Sequence, residues 1–356
     1  MWFYRHALRP FFFLMPPEAA HHFVLSLIRL LFKLPGVGWC FRCALLYAPR
    51  ELRRTYFDLP FLNLVGLPAG FDKQGQLLDK ARNLGFGFME VGTVTPRPQP
   101  GNPRPRMFRL PLDGALINRM AFNSHGVDRV AKRLARRRRY SIPVGGNISK
   151  NTATPNEQAS QDYLVCFRAL YPLVDYFALN ISCPNVHDLR GMQDEQHLRE
   201  LLSALTQERA RQHLYRPMLL KLGPDASSES LQRTLALAME LGVDGFIASN
   251  TTAQREGLRT PATAVETMGT GGLSGAPLHA KAVALVKAIR VAVGPRPLII
   301  GVGGISNGPE ALEMLQAGAN LLQVFTGYIY GGPGVVRSIN KYLYAHQAEI
   351  PDWGTC

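Results

Sequence analysis

The chain has 356 residues, of which 46% are hydrophobic and 19% charged, and 40 Lys and Arg against 26 Asp and Glu give a formal net charge of +14. This hydrophobicity excludes a disordered chain, and five cysteines in so long a sequence exclude a small disulfide scaffold. The excess of bases favours anionic partners, which include nucleic acid, a membrane face and phosphorylated ligands. The length allows one barrel-sized domain or two smaller ones.

The N-terminal 50 residues predict an apolar helical extension. A helical pattern with one broad apolar face runs from Pro17 to Phe32, and a second short helix is expected from about Trp39 to Tyr47. Arg29 and Lys33 interrupt the best apolar run, which is too short for a bilayer span of about 20 residues. Two interpretations are equal at this point: the helices lie in a membrane interface, or they pack on the main domain.

The same segment holds two of the five cysteines. Cys40 and Cys43 have a spacing that occurs in metal and redox sites, but no second ligand pair lies nearby, so we expect two half-buried helix thiols and no metal. Five cysteines without paired spacing indicate a reducing compartment.

From residue 62 onward, short β-rich runs alternate with amphipathic helical stretches. This alternation predicts a parallel sheet, and eight such units predict a closed (β/α)8 TIM barrel. An open doubly wound sheet is the alternative, but it needs a reversal of strand order that the sequence does not locate. The predicted strands are 64–69, 88–93, 143–148, 176–181, 218–222, 245–249, 298–302 and 321–325, and the clearest helices are 195–211, 228–241, 278–293 and 309–317.

The bases are concentrated in two segments of the chain. Residues 1–60 hold eight basic and three acidic side chains, and residues 97–139 hold twelve basic and two acidic ones, which leaves the rest almost neutral. The run from Arg136 to Arg139 has no interleaved aromatic residues and no recognisable nucleic-acid module beside it. We therefore expect a solvated helix face and no nucleic-acid partner, with contact to anionic lipid as the alternative.

Polar residues follow almost every predicted strand, where barrel enzymes place their chemistry. Core packing does not require so many amides and lysines at one rim. Small amide donors suit a planar heterocycle, and glycine-rich turns after the last two strands suit a phosphate, so a flat ring carrying a phosphate, FMN, is indicated. The strand ends read Gly70-Phe71-Asp72-Lys73, Gly92-Thr93, Asn147-Ile148-Ser149-Lys150, Asn180-Ile181-Ser182-Cys183-Pro184-Asn185, Lys221, Asn250-Thr251-Thr252, Gly301-Val302-Gly303-Gly304 and Thr326-Gly327.

Several long motifs, in order, resemble the dihydroorotate dehydrogenase family over residues from about 16 to 343. They are Ala69-Gly70-Phe71-Asp72-Lys73, residues 92–102, Ile117-Asn118-Arg119-Met120, residues 180–185, Gly271-Gly272-Leu273-Ser274-Gly275 and Gly301-Val302-Gly303-Gly304-Ile305.

The N-terminal helices resemble those of the family's class 2 branch, whose members are membrane-associated FMN enzymes of pyrimidine biosynthesis that reduce quinone. The resemblance implies a helical membrane and quinone segment at 1–50 and an FMN-binding barrel at 51–350. It implies oxidation of (S)-dihydroorotate to orotate, and a peripheral position on the cytoplasmic face of a membrane of the bacterial inner-membrane type. An enzyme of the class 1 kind, with fumarate or NAD as acceptor, is the alternative. A non-catalytic membrane- or nucleic-acid-binding barrel is a third hypothesis, and it leaves the amide-rich rim unexplained.

The resemblance also assigns site residues, position by position. It implies contacts with the flavin from Ala69, Gly70, Phe71, Asp72, Lys73, Thr93, Asn147, Asn180, Lys221 and Ser249, and contacts with its phosphate end from Gly275, Gly304, Phe325 and Thr326. It implies that His21 and Arg109 flank the quinone head group. The implied substrate residues are Lys73, Asn118, Arg119, Met120, Ala121, Phe122, Asn180, Asn185, Asn250 and Thr251.

The sequence departs from class 2 at the catalytic base. Class 2 members typically carry Ser directly before the Pro-Asn of this motif, whereas this chain has Cys183. A free cysteine thiol has a pKa of about 8.5, so some thiolate exists near neutrality. We hypothesise that Cys183 removes the C5 proton of dihydroorotate while the C6 hydride moves to the flavin, with neighbouring Ser182 as the alternative base. Phe325 stands where many relatives carry Tyr.

Overall fold

The structure, a computed structural model, describes residues 2–137, 142–182, 192 and 194–354. Eight parallel strands close into a barrel in chain order, which confirms the predicted (β/α)8 fold. Each of them overlaps one of the eight predicted strands. They are β3 (Val65–Leu67), β4 (Phe88–Val94), β7 (Val144–Ile148), β8 (Tyr176–Asn180), β9 (Met218–Leu222), β10 (Gly245–Ala248), β12 (Leu298–Val302) and β13 (Leu321–Gln323).

The barrel strands are apolar because both of their faces are covered. Every residue of each of these eight strands is buried, as expected for a parallel sheet with helices outside and packed side chains inside. Their register brings the polar strand ends to one rim: Asn180 of β8 lies opposite Lys221 of β9, and Ala248 of β10 lies opposite Leu222.

Twelve α-helices are present in the described residues, and the six helices whose bounds were predicted from the sequence agree with the structure to within two residues at each end. The helices are α1 (Arg9–Leu14), α2 (Pro17–Leu31), α3 (Val37–Leu45), α4 (Val127–Leu134), α5 (Ala159–Leu170), α6 (Glu195–Ala210), α7 (Ser228–Glu240), α8 (Ala262–Met268), α9 (His279–Val293), α10 (Gly308–Gln316), α11 (Thr326–Gly331) and α12 (Val335–Ala345). Asp194, Ser227 and Asn307 cap α6, α7 and α10 by accepting a hydrogen bond from a backbone N–H of the first turn.

Five strands of the described part of the chain lie outside the barrel and were not predicted. β1 (Arg54–Tyr56) and β2 (Leu59–Phe61) form a hairpin just before the first barrel strand. β5 (Met107–Leu110), β6 (Ala115–Asn118) and β11 (Gly272–Gly275) form an antiparallel sheet with a small apolar core of its own. This second sheet joins a loop of the first half of the barrel to a loop of the second half.

Residues 2–45, which we call the arm, comprise a short π-helical turn at Tyr4–Leu8 followed by α1, α2 and α3. Leu25 of α2 belongs to the main core, and the Tyr4 hydroxyl donates to the carbonyl of Ile329 at 2.7 Å. The inner face of the arm therefore packs on the barrel. Its outer face exposes large apolar side chains, from Trp2, Phe3, Phe11, Leu14, Phe23, Leu30, Leu34 and Trp39. Among the helices described, none is long and apolar enough to cross a bilayer.

Two predictions about local side chains are wrong. Cys40 and Cys43 are exposed, because α3 turns Phe41 and Leu45 toward the core and these thiols fall on the other face. The basic run that begins at Arg136 is not a solvated helix face, because α4 ends at Leu134. The largely buried Arg137 forms an ion pair with Asp175, and residues 138–141 lie outside the described part of the chain.

Candidate active site

A cavity opens at the carboxyl ends of the barrel strands, and we call it the mouth cavity. Most residues that the sequence assigns to flavin or substrate line it, although they come from strand ends spread over the whole chain. The predicted residues in its wall are Ala69, Gly70, Lys73, Thr93, Asn118, Met120, Ala121, Phe122, Asn180, Lys221, Ser249, Asn250, Thr251, Gly275, Gly304, Phe325 and Thr326.

The amide side chains of the mouth form one connected chain of hydrogen bonds. The Thr93 hydroxyl donates to Asn147 Oδ1 at 2.7 Å and accepts from Asn180 Nδ2 at 3.1 Å. Asn180 Oδ1 in turn accepts from Asn250 Nδ2 at 3.3 Å. We call Asn147, Thr93, Asn180 and Asn250 the amide chain. Its members span β4, β7, β8 and the end of β10, so the barrel register holds them in line.

The end of β8 carries the candidate base region. Ser182 is buried, and its hydroxyl donates to the carbonyl of Lys221 at 2.8 Å while it accepts from Asn250 Nδ2 at 3.3 Å. The proton of this hydroxyl is therefore engaged by a backbone carbonyl. The predicted residues Cys183 and Asn185 lie outside the described part of the chain.

Lys73 lies between the mouth and the arm. Its ammonium group donates to Asn123 Oδ1 and, at 3.4 Å, to the carbonyl of Ala121. A positive charge held in this way can face an anionic or carbonyl group of a ligand in the mouth cavity.

Several predicted site residues are placed elsewhere. The Asp72 carboxylate accepts from the backbone N–H groups of residues 74, 76 and 77, and complete burial raises its pKa despite these bonds. The Arg119 guanidinium donates to the carbonyls of Pro105, Met268 and Thr270. Phe71 lines a second cavity, and Asn147 lies one hydrogen bond behind Thr93 rather than in the cavity wall. The short range of Asp72's bonds indicates a loop-forming role.

The far end of the mouth cavity suits a phosphate. Gly275 has φ +101° and Gly304 has φ +69°, and a Cβ on Gly304 lies only 2.5 Å from the Cβ of His279. Only glycine lets the backbone pass here, which leaves its N–H groups close to the cavity. The hydroxyls of Ser274 and Thr326 add a polar pair 2.9 Å apart.

Two polar residues of the site were missed from the sequence. Glu90 of β4 is fully buried, and its carboxylate accepts from Asn147 Nδ2 at 3.2 Å and from Gln323 Nε2. Gln323 lines the mouth cavity, and its buried Oε1 has no hydrogen-bond partner in the part of the chain that the structure describes. It is therefore an acceptor available to a ligand that carries a hydroxyl or N–H group, and together with the glycine turns it fits FMN. The sequence feature that could have pointed to both residues is a charged or amide side chain inside an otherwise apolar strand.

A second cavity of about 1110 Å³ lies between the arm and the barrel, and we call it the arm cavity. Apolar side chains of α2 line most of one side, including Val24, Leu27 and Leu31. The mouth cavity and the arm cavity share part of their walls. The shared residues are Gly70, Lys73, Met107, Leu116, Met120 and Phe325.

His21 and Arg109, which the sequence assigns to quinone, both line the arm cavity. Burial, helped by the charges of His22 and Lys73, lowers the pKa of His21 to about 4, so its imidazole is neutral at physiological pH. The Arg109 guanidinium donates to the carbonyl of Met15 at 2.7 Å and lies 4.4 Å above the ring of Phe13. Arg109 therefore also fixes the end of α1 against the barrel.

An ion-pair cluster, in which Glu18 and Arg106 are buried and Arg104 is exposed, fastens α2 to the barrel. Glu18 accepts two hydrogen bonds from Arg106, at 2.7 and 3.1 Å, and two from Arg104, both at 3.1 Å. Arg106 is held in turn by the carbonyls of Pro100 and Asn102. Burial alone raises the pKa of Glu18, but the bonds from both arginines outweigh it and lower the pKa to about 2. We call this cluster the Glu18 latch.

The fold and the site define the class: a (β/α)8-barrel enzyme with a cofactor cavity at the strand ends and an apolar cavity beside it. The dihydroorotate dehydrogenase family model matches residues 51–346. A dihydroorotate dehydrogenase (quinone) from Chloroflexus aurantiacus is 46% identical and covers 97% of each chain, and one from Christiangramia forsetii is 42% identical over 96% of this chain and 98% of its own. A crystal structure of the Eimeria tenella dihydroorotate dehydrogenase in complex with ferulenol has a TM-score of 0.84 at 35% identity, over 95% of this chain and 93% of that one. The chain belongs to the dihydroorotate dehydrogenase family, as its motifs predict.

Proposed function

We propose that this protein is a quinone-dependent dihydroorotate dehydrogenase. It oxidises (S)-dihydroorotate to orotate with FMN and passes the electrons to a membrane quinone, a step of pyrimidine biosynthesis. The observation that carries the proposal is the shared wall between the polar mouth cavity and the apolar arm cavity. A soluble acceptor such as fumarate or NAD needs no apolar cavity, and the relatives reported above are of the quinone type, so that alternative is not favoured.

The residues of the mouth cavity are suited to hold FMN. Gly275, Gly304 and Thr326 supply backbone and hydroxyl groups for the phosphate, and Thr93 and Asn180 supply polar groups for the ring. When bound, FMN supplies the acceptor for the substrate hydride and the donor to the quinone. Lys221 adds a buried positive charge at the mouth, which favours electron-rich groups beside it.

Dihydroorotate belongs between the amide chain and Lys73 in this proposal. Asn180 and Asn250 offer hydrogen bonds to the edges of the pyrimidine ring, and the Lys73 ammonium suits its carboxylate or a carbonyl. These groups hold the ring flat against the floor of the cavity, so that C5 and C6 are presented together.

We propose Cys183 as the base. It removes the C5 proton while the hydride leaves C6, and the two electrons of the C5–H bond form the C5=C6 double bond of orotate. The Ser182 hydroxyl is less suited, because it already donates to the Lys221 carbonyl and accepts from Asn250. A thiol also reaches the anionic form near neutral pH with less help than a hydroxyl needs.

The arm cavity is the proposed quinone site. Its apolar walls suit an isoprenoid quinone, and His21 and Arg109 supply polar contacts for the head group. The neutral His21 acts there as a hydrogen-bonding group rather than as a charge. Phe325 lies in the wall between the cavities, where it has no hydroxyl to offer a ligand.

The outer face of the arm is the proposed membrane contact. Trp39, Leu14 and Leu30 are 61%, 86% and 62% exposed, and the first 60 residues carry an excess of five bases. Exposed aromatic and aliphatic side chains with basic neighbours are typical of helices that lie in the interface of an anionic membrane. We propose a peripheral position on the cytoplasmic face.

The proposal is tested by oxidation of dihydroorotate with a short-chain quinone, fumarate and NAD in turn. The full chain should turn over with quinone and at least tenfold more slowly with either soluble acceptor. A chain without residues 2–45 should still let dihydroorotate bleach the flavin in the absence of any acceptor, and should lose quinone turnover. Equal rates with fumarate or NAD, or full quinone turnover without the arm, contradict the proposal.

A further inference from the structure

Glu90 is a carboxylate inside the barrel that the catalytic scheme above does not use. It is fully buried beneath the mouth cavity, and its carboxylate accepts from two amide NH2 groups, Asn147 Nδ2 at 3.2 Å and Gln323 Nε2. The buried Tyr176 hydroxyl also faces this carboxylate, and burial together with the charge of Glu90 raises the pKa of that hydroxyl. An ionised carboxylate can only accept hydrogen bonds. Glu90 therefore requires the donor end of each of these amides to turn toward it.

This requirement sets the direction of the amide chain. Because Asn147 turns its Nδ2 down to Glu90, its Oδ1 faces up and accepts from the Thr93 hydroxyl. The Thr93 oxygen is then free to accept from Asn180 Nδ2, which leaves Asn180 Oδ1 to accept from Asn250. The direction of every hydrogen bond in the amide chain therefore follows from Glu90, the one group that cannot exchange donor for acceptor.

An amide side chain has nearly the same shape when its oxygen and nitrogen are exchanged, so packing alone fixes its orientation poorly. The ring edges of a flavin and of a pyrimidine carry both donors and acceptors, and a reversed amide places donor against donor. We propose that Glu90 is a positioning residue that fixes which ends of the mouth amides face the flavin and the pyrimidine. The inference rests on the proposed placement of both ligands in the mouth cavity.

The same direction explains why Gln323 keeps a free acceptor. Its Nε2 is held by Glu90, and its buried Oε1 has no hydrogen-bond partner among the described residues. Glu90 thus sets the polarity of two walls of the cavity, through Asn147 on one side and Gln323 on the other.

The variant Glu90→Gln is nearly isosteric, and it replaces a side chain that can only accept hydrogen bonds by one that can both donate and accept them. Its new NH2 faces the NH2 of Asn147 or of Gln323, so one of the two must reverse or lose its bond. The double variant Glu90→Gln with Asn147→Asp moves the carboxylate to a neighbouring side chain that does not line the mouth cavity. There the carboxylate at position 147 accepts from the amide NH2 at position 90 and from the Thr93 hydroxyl, while the amide oxygen at position 90 accepts from Gln323 Nε2. The direction of the amide chain is thereby restored.

The readouts are the dissociation constant of orotate, from its perturbation of the flavin absorbance, and that of FMN, from reconstitution of the apoprotein. One reversed amide costs about the energy of one or two lost hydrogen bonds, which corresponds to about ten- to a hundredfold weaker orotate binding in Glu90→Gln. The double variant should return to within about threefold of wild type.

Recovery in the double variant supports the inference, even where Glu90→Gln alone does not fold. Wild-type affinities in Glu90→Gln overturn it, and so does a double variant as impaired or as unfolded as the single one, because packing or charge at position 90 is then what matters. Failure of the wild-type protein itself to bind FMN or orotate contradicts the proposed function instead.

Discussion

Loss of the Glu18 latch is expected to detach the arm while leaving the barrel intact. Glu18→Gln keeps the size of the side chain and removes its charge. It leaves Arg104 and Arg106 as two neighbouring cations, of which Arg106 has a side chain only 7% exposed. A buried charge without its partner is strongly destabilising, so the variant should favour an arm that has left the barrel.

The size of the effect follows from the pKa of Glu18. A carboxyl whose pKa is about 2 in the folded protein and 4.5 when unpaired contributes about 3 kcal/mol to docking of the arm at neutral pH. The full shift corresponds to roughly a three-hundredfold change in the ratio of docked to undocked arm, and solvent around the exposed Arg104 reduces this to about a hundredfold. Since the folded pKa is the lower one, the contribution is complete above pH 4.5 and is lost as the pH falls from there toward 2.

Hydrogen exchange of the α2 amides measures this ratio directly. At neutral pH, exchange in α2 should be about a hundredfold faster in Glu18→Gln than in wild type, while the barrel strands remain protected. The difference should shrink as the pH falls below 4.5. Glu229→Gln is the matched control, because Glu229 forms an exposed pair with Arg233 on α7 and should change exchange little. Exchange in α2 within threefold of wild type, or equal to that of the control, refutes the reasoning.

Three further variants test the site and the arm. Cys183→Ala should lose flavin bleaching by dihydroorotate while keeping bound FMN, and near-normal bleaching rules out Cys183 as the base. Gly304→Ala adds a methyl group 2.5 Å from His279 and should weaken FMN binding about tenfold or more. The control is Gly257→Ala, which has a similar φ but lies in open space and should bind FMN normally. If both variants bind FMN with equal affinity, close packing at Gly304 is not what requires glycine there. Leu30→Asp should lower sedimentation with phospholipid vesicles about tenfold, and the equally exposed barrel residue Leu214 is the control, so identical losses in Leu30→Asp and Leu214→Asp speak against contact through the arm.

The barrel could be predicted because its signals are local. Each parallel strand is a short apolar run such as Leu298–Val302, and each intervening helix shows an apolar face or a capping residue such as Ser227. The sheet of β5, β6 and β11 could not be predicted, because Gly272–Gly275 pairs with Ala115–Asn118 more than 150 residues earlier. Pairing over such a distance leaves no mark in either segment alone.

Some site residues could likewise be predicted from local sequence, and others could not. Residues at the carboxyl end of a strand, such as Asn180 and Lys221, could be found because the barrel brings all strand ends to one rim. Asp72 shares that position in the sequence, but its carboxylate is used by the backbone N–H groups of its own loop. Glu90 is a charged residue inside an apolar strand, which marks it as unusual, but its role depends on contact with Gln323 from the far end of the chain and so could not be predicted from the sequence.

The contacts of the arm also determine when, during synthesis of the polypeptide, the arm can pack on the barrel. Glu18 meets its arginines 86 and 88 residues later in the chain, and Tyr4 meets Ile329 only 325 residues later. At a synthesis rate of about 5–20 residues per second, the ribosome needs roughly 16 to 65 seconds to add the residues between Tyr4 and its partner. The apolar arm therefore emerges long before the surface that covers its inner face exists. A nascent chain can meet lipid, or a chaperone, before its arm meets its own barrel.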